Sequence, residues 1–260
     1  MRKSSTKAII VLTRGYKEMS KYNLLIKRNM SIEKNLSDKS IPVLIFHEGN
    51  ITMEQQKIIS TATPQLIIVF IVHLFKKENE ATISLYEPSR VFGDMNYRHM
   101  CCFWFCDFWD YLGDYDKVLR IDEDCVINFS VDEIFRDMEK SSSVAVYGKW
   151  TMDDVRVTFG LNKFTRRFLE TNNQPYHTLK KKPSGPYTNV IALNLALMRE
   201  NALFKSYVDA VKQSDNIYVY RHGDLPLWGD ALYYLFPNRY MKSKKIKYYH
   251  GSHNVLVNLF

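Results

Sequence analysis

The sequence predicts an α/β fold, a mostly parallel central sheet flanked by helices, as one domain over residues 1–260. Three observations carry this. Short apolar runs alternate with segments patterned for helix through the first half of the chain. A length of 260 residues suits a single α/β unit. One apolar run, residues 116–124, ends in a cluster of acids, as a strand does when its carboxyl end faces a ligand.

In order along the chain, residues 8–12 (Ala-Ile-Ile-Val-Leu) read as a buried strand, and Tyr22, Leu25, Ile32 and Leu36 recur at helical spacing. Residues 42–46 form a second strand and 53–60 a short helix. Residues 65–75, rich in Ile and Val, form a third strand expected to be buried on both faces. A longer helix is expected over 96–112. Met100, Trp104, Phe108 and Leu112 form its apolar stripe, read as core, while Asp107, Asp110 and Asp114 lie off that line. Residues 116–124 are the next strand. Beyond it the pattern loosens: strands at 143–147 and 190–195, an amphipathic helix carrying Phe204, Tyr207, Val208 and Val211, and an exposed loop at 175–186. The expected division is a nucleotide-binding half over about 1–128 and a mixed, loop-rich half over about 129–260.

Composition excludes several classes. With 46% hydrophobic and 25% charged residues the chain is not disordered, and ten Gly and eight Pro exclude a collagen-like chain. The longest apolar run, 66–72, resumes after His73 for only two residues, far short of the ~20 that cross a bilayer. The apolar stretch after the basic start MRKSSTK is shorter than a secretory core of about 7–15 residues. A soluble, cytoplasmic protein is therefore expected. The cysteines at 101, 102, 106 and 125 fit neither a disulfide framework nor zinc knuckles and read as buried free thiols. The net charge of +8 points to anionic partners.

Asp122-Glu123-Asp124 is the sharpest chemical signal. Carboxylates two residues apart can share a divalent cation that clamps a diphosphate; a solvated acidic turn is the other reading, and the strand leading into the triplet favours the cation. Thr13-Arg14-Gly15-Tyr16 follows the first strand, where a nucleotide usually lies in such sheets, although a plain loop with an exposed Arg has the same pattern. No GxGxxG or GxxxxGK[ST] is present, which argues against a dinucleotide-binding domain and a P-loop NTPase. Asp230, in Gly229-Asp230-Ala231, reads either as a helix N-cap or as a base in an acceptor site. His250 reads as a structural residue or as a third metal ligand; His222 and His253 have no stronger claim. The lysines at 180–182 and 242–247 read as a solvated face or as partners of a phosphate-rich substrate, since no nucleic-acid-binding motif accompanies them.

Seven segments resemble, in the same chain order, those of the fungal α-1,2-mannosyltransferase family, whose fold is the GT-A glycosyltransferase type. Tyr97-Arg98-His99-Met100-Cys101 with Phe103 resembles that family's Y-R-H-M-C-R-F, and Arg120-Ile121-Asp122-Glu123-Asp124 stands where it has R-V-E-P-D. Tyr147-Gly148 resembles its Y-G-F, Thr188-Asn189 the start of its S-N-F-E-I, Trp228-Gly229-Asp230-Ala231 its W-G-D-A, and Tyr248-Tyr249-His250 its Y-Y-H. Residues 42–46 followed by Glu54 resemble its second strand and the acidic helix after it.

The resemblance implies a metal-dependent enzyme that moves a sugar from a UDP- or GDP-sugar to a glycan or glycoprotein hydroxyl. It implies Mn²⁺ or Mg²⁺ on Asp124, Asp122 and His250. The donor would be bound by Thr13, Arg14, Tyr16, Arg98, Asp122 and Glu123, with Asp230 at the acceptor side. One departure matters: Ile191 stands where that family has the S-N-F-E-I glutamate, so a nucleophile is missing there. That gap favours inversion with Asp230 as base, against retention of the GDP-mannose type. A nucleotidyltransferase, a basic nucleic-acid-binding module and a catalytically inactive relative are the competing readings.

Overall fold

The computed structural model describes residues 6–77, 80–92, 95–176, 180 and 182–258. In chain order the elements are β1 (Lys7–Leu12), α1 (Asn23–Asn35), β2 (Val43–His47), α2 (Met53–Thr61), β3 (Ile68–Val72), α3 (Met95–Cys102), β4 (Lys117–Ile121), β5 (Cys125–Ile127) and α4 (Val131–Ser141). Then come β6 (Ala145–Tyr147), β7 (Trp150–Met152), α5 (Leu161–Thr171), β8 (Ser184–Pro186), β9 (Val190–Asn194), α6 (Leu195–Arg199) and α7 (Ala202–Ser214). The chain closes with α8 (Asn216–Val219), α9 (Asp224–Asp230), β10 (Tyr240–Lys242), β11 (Tyr248–His250) and β12 (Val255–Val257).

Seven strands form the central sheet in the order β10-β6-β9-β4-β1-β2-β3. β3, β2, β1 and β4 are parallel, with Ile10 opposite Leu44 and Ile9 opposite Leu119; β9 runs antiparallel to β4 and β6. The period-two rule of strands explains the two cores. Ala8, Ile10, Leu44 and Phe46 face a layer built on Phe103, Trp104, Phe105 and Trp228. Ile9, Val11, Val43 and Ile45 face the opposite layer with Phe135 and Met138. Both faces are covered, as a parallel sheet with crossover helices requires.

Local chemistry sets the elements near the carboxyl ends of these strands. The Thr52 side chain accepts from the Gln55 backbone, and the Gln55 side chain accepts from the Thr52 N–H at 2.9 Å, a reciprocal cap that starts α2. The Gln55 amide also donates to the Tyr16 carbonyl at 2.9 Å and so braces the turn after β1. The Ser130 side chain accepts from the Glu133 N–H and that of Asn194 from the Leu197 N–H, which caps α4 and α6.

Several expectations are corrected. β3 is an edge strand and is not buried on both faces: Val69 and Val72 are 41% and 51% exposed. The expected helix over 96–112 is α3 followed by a π turn (Phe103–Asp107) and a 3₁₀ turn (Phe108–Tyr111), although Trp104, Phe108 and Leu112 are core as read. The acids at 122–124 lie beyond the strand, in the turn between β4 and β5. The segment 175–186 is not simply an exposed loop: Lys180 is largely buried, and Gly185 and Pro186 are buried within β8. Residues 177–179 and 181 of that segment, and the basic start at 1–5, fall outside the described residues.

The α9–β8 contact is backbone against backbone. A Cβ on Gly185 would come within 1.9 Å of the Leu225 carbonyl, and one on Gly229 within 1.8 Å of the Ser184 carbonyl. Glycine is required at both positions for this approach. Beside it, Lys180 Nζ lies 2.6 Å from Asp230 Oδ1, and Thr165 Oγ1 donates to Asp230 Oδ2 at 2.6 Å. Burial pushes the Asp230 carboxyl up and the Lys180 ammonium down, each partly offset by the other's charge. A second buried polar group, His222, donates from Nε2 to the Phe159 carbonyl at 2.8 Å, and burial lowers it to about 4.

Two stability predictions follow from these groups. Asp230→Leu strands a buried ammonium and should cost about 3–5 kcal/mol in urea unfolding, and the double variant with Lys180→Met should regain most of it. His222 is neutral in the fold and ionises below about 6.5 when unfolded, so its contribution is present above that pH and is lost as pH falls toward 4. Between pH 6.5 and 4 the wild type should therefore lose about 3 kcal/mol more unfolding free energy than His222→Gln.

Candidate active site

A cavity of about 530 Å³ opens at the carboxyl ends of β1 and β4, where open α/β sheets bind their ligands. Its wall contains Thr13, Arg14, Tyr16, Asp122, Glu123 and Asp124, which the sequence had marked, together with His250 from β11.

The turn after β1 is tied to the acidic turn after β4. Thr13 Oγ1 donates to Glu123 Oε2, and Tyr16 OH donates to Glu123 Oε1 at 2.9 Å. Glu123 thus holds the wall of the expected nucleotide side, while Arg14 is exposed at its rim. Burial and the Glu123 charge push the Tyr16 hydroxyl well above its ordinary range, which keeps it a donor.

On the other side of the turn, Asp124 Oδ2 lies 3.4 Å from His250 Nε2 and accepts from the Ser252 N–H at 2.8 Å. Burial opposes ionisation of Asp124, yet the hydrogen bonds from His250 and Ser252 outweigh it and hold the carboxyl below the usual range. Asn189 Nδ2 contacts both Asp122 Oδ2 at 2.9 Å and His250 Nε2 at 3.3 Å. Tyr187 OH meets His250 Nδ1 at 2.8 Å, which leaves Nε2 facing the carboxylates, as a metal-binding imidazole is usually held. Asp122 itself accepts from Arg120 Nε at 2.9 Å; burial raises it and the guanidinium counters that.

This donor set fits a divalent cation. Asp124, Cys125 and His250 each offer a ligand atom within 4.8 Å of the others. Asp124 and His250, with Asp122 in the same turn, supply oxygen and imidazole donors suited to Mn²⁺ or Mg²⁺, for which the soft sulfur of Cys125 is the less suited ligand.

Two sequence-marked residues are not in the cavity. Asp230 is buried in the ion pair with Lys180 and does not line it, so the role of acceptor base does not fit. Lys180 likewise belongs to no solvated face. Arg98 is buried and turned away from the cavity, donating to the Tyr218 carbonyl at 2.8 Å and to Ser89 Oγ at 3.2 Å; its neighbours Tyr97 and Met100 line the wall instead. Ile191 is buried within β9.

Sequence reasoning missed Asp153, Tyr187, Asp224 and the role of Arg120. Asp224 lies six residues before the marked Asp230, on the opposite end of α9, and pairs with Arg120. Asp153 sits just past β7, a strand too short to read from its pattern. His253, given no weight, also lines the cavity, with its ring 4.6 Å from that of His250.

The structure resembles core-mannan synthase A (CmsA/Ktr4) of Aspergillus fumigatus in its Mn/GDP form, with a TM-score of 0.78 and 18% identity over 96% of this chain and 76% of that one. It also resembles the mannosyltransferase Ktr4p of S. cerevisiae, with a TM-score of 0.78 and 17% identity over 95% of this chain and 70% of that one. The galactosyltransferase LgtC, in complex with donor and acceptor sugar analogues, aligns with a TM-score of 0.52 and 17% identity over 91% of this chain and 73% of that one. A search of curated proteins finds no match. Among the described residues no helix is long and apolar enough to cross a membrane. The family model for glycosyl transferase family 8 matches residues 24–259, and the chain therefore belongs to that family: it is a glycosyltransferase of the GT-A fold.

Proposed function

We propose that this glycosyltransferase takes its sugar from a nucleoside-diphosphate donor, uses Mn²⁺ or Mg²⁺, and passes the sugar to a hydroxyl of a glycan or glycoprotein. The observation that carries the reading is the convergence of Asp122, Asp124 and His250, linked through Asn189, at the mouth of the central sheet. These residues would hold the cation, whose chemistry when bound is to neutralise charge on the departing diphosphate. GDP is the first donor base to test, because core-mannan synthase A and a Ktr4p structure each hold GDP.

The chain's own residues constrain the route. Thr13, Arg14 and Tyr16 bind and orient the nucleotide, with Glu123 fixing their turn. Asp230 is walled off by Lys180 and Thr165, so it accepts no proton from an acceptor. Ile191 offers no nucleophile. The expected lean toward inversion through Asp230 therefore gives way to a front-face route with retention. In it, the bond from the anomeric carbon to the diphosphate oxygen breaks and its electron pair leaves with the nucleotide. The acceptor oxygen bonds to the same face of the carbon, and its proton passes to a diphosphate oxygen.

The test follows release of nucleoside diphosphate from GDP- and UDP-sugars. Release should require Mn²⁺ or Mg²⁺ and fall at least 100-fold in Asp124→Asn, which should also lose the rise in melting temperature that Mn²⁺ with GDP or UDP gives the wild type. NMR should show the product with the anomeric configuration of the donor. An inverted product would overturn the front-face route, and metal-independent release would overturn the proposed site.

A further inference from the structure

Six carboxylates line the cavity, and five of them have hydrogen-bonding partners within the protein: Asp122 and Asp224 on Arg120, Glu123 on Thr13 and Tyr16, Asp124 on His250 and Ser252, and Glu48 on Asn50. Asp153 makes no hydrogen bond or ion pair to any of the described residues. Its Oδ2 lies against the bare Cα of Gly223, where an added Cβ would come within 2.7 Å. A half-buried carboxylate with no donor from the described residues is free to accept a hydroxyl of a bound ligand.

Asp153 also stands at the head of an exposed apolar ledge. Met152, Val155 and Phe159 on the same segment are 60%, 67% and 51% exposed, an unusual concentration of apolar side chains for a surface turn. The ledge is rigid. The Phe159 ring stacks on Tyr86 with centroids 4.7 Å apart and 19° between planes. Behind it the Arg221 guanidinium lies 3.9 Å from the Tyr97 ring, which lines the cavity, and Arg156 covers the Phe92 ring at 4.3 Å. Arg221 takes the left-handed region (φ 62°), a conformation a bulky side chain adopts when its packing imposes it.

The geometry points to an extended acceptor subsite for an oligosaccharide: Asp153 accepts hydroxyls of the sugar in the cavity, and the Phe159–Val155 ledge carries the apolar face of a further sugar unit. Pyranose rings present axial C–H groups on one face and hydroxyls at the edge, which matches an exposed aromatic surface beside an unpartnered carboxylate. Asp153 belongs to the cavity wall and Val155 lies two residues further along the same exposed segment, which selects a glycan reaching out of the cavity over an unrelated protein partner. The charged groups facing Asp153 are Arg221, which favours its ionised form, and Asp224 and Asp154, which oppose it; burial raises it overall.

This inference rests on the transferase reading, and the two fail separately. The labelled full chain, with Mn²⁺ and GDP or UDP, is applied to an array of mannose- and galactose-containing glycans of one to five units. The wild type should retain glycans of two or more units. Phe159→Ala and Asp153→Asn should each lower that retention at least tenfold, while the melting-temperature rise given by Mn²⁺ with nucleotide stays at the wild-type value. Val155→Glu, at a position exposed enough to leave folding intact, should show the same loss. Nucleotide binding without glycan retention by the wild type, or undiminished retention in all three variants, would overturn the subsite. Glycan retention without binding of any nucleoside diphosphate would leave the subsite standing and remove the donor reading.

Discussion

The site is organised around one buried cation. Arg120, near the end of β4, donates to Asp122 at 2.9 Å, pairs with Asp224 at the start of α9, and places its guanidinium 4.1 Å from the centre of the Trp104 ring. Burial alone would disfavour its charge, but the two carboxylates more than offset that and hold it firmly protonated. Through these contacts one side chain joins the acidic turn, the π turn after α3 and the short helix that floors the cavity. Removing the guanidinium would leave two carboxylates facing each other in a desolvated wall, the situation in which a broken buried pair is most damaging.

The glycine pair in β8 and α9 is the steric counterpart of that electrostatic joint. Because Gly185 and Gly229 let two backbones meet, α9 lies close enough for its first residue to reach Arg120 and its last to reach Lys180. The two acids at opposite ends of α9 therefore do different work. Asp224 shapes the cavity, while Asp230 anchors the helix from behind.

These details mark where the sequence could and could not be read. The strands β1, β2 and β4 were legible because a strand covered on both faces is largely apolar, and the acids after β4 break that run visibly. His250 stood out in the sequence only as the end of a Tyr-Tyr-His run, and it is β11, paired with β5, that brings it against Asp124. Asp230 was misjudged because a motif preserves residue types without saying which way they point; a tryptophan-glycine-aspartate run serves close packing as readily as catalysis. Arg98 misled for the same reason. Asp153 and Asp224 left no local signal, since each owes its position to contacts with segments tens of residues away: β7 pairs with β8, and α9 lies on β8.

Net charge illustrates the same distinction between composition and placement. The chain carries +8, which taken alone suggests a basic pocket for an anionic ligand. The cavity wall has six carboxylates and two arginines, and one of those arginines is already neutralised by Asp122 and Asp224. The excess lysines lie elsewhere. A bare cavity of this kind repels a diphosphate, and like charges in a partly desolvated pocket repel more strongly than in water. The same excess of acid favours a divalent cation at Asp122, Asp124 and His250, and a cation held there reverses the sign of the field a diphosphate meets. The acidity of the pocket is thus an argument for metal dependence in its own right: nucleotide and cation are expected to bind together, each weakly without the other.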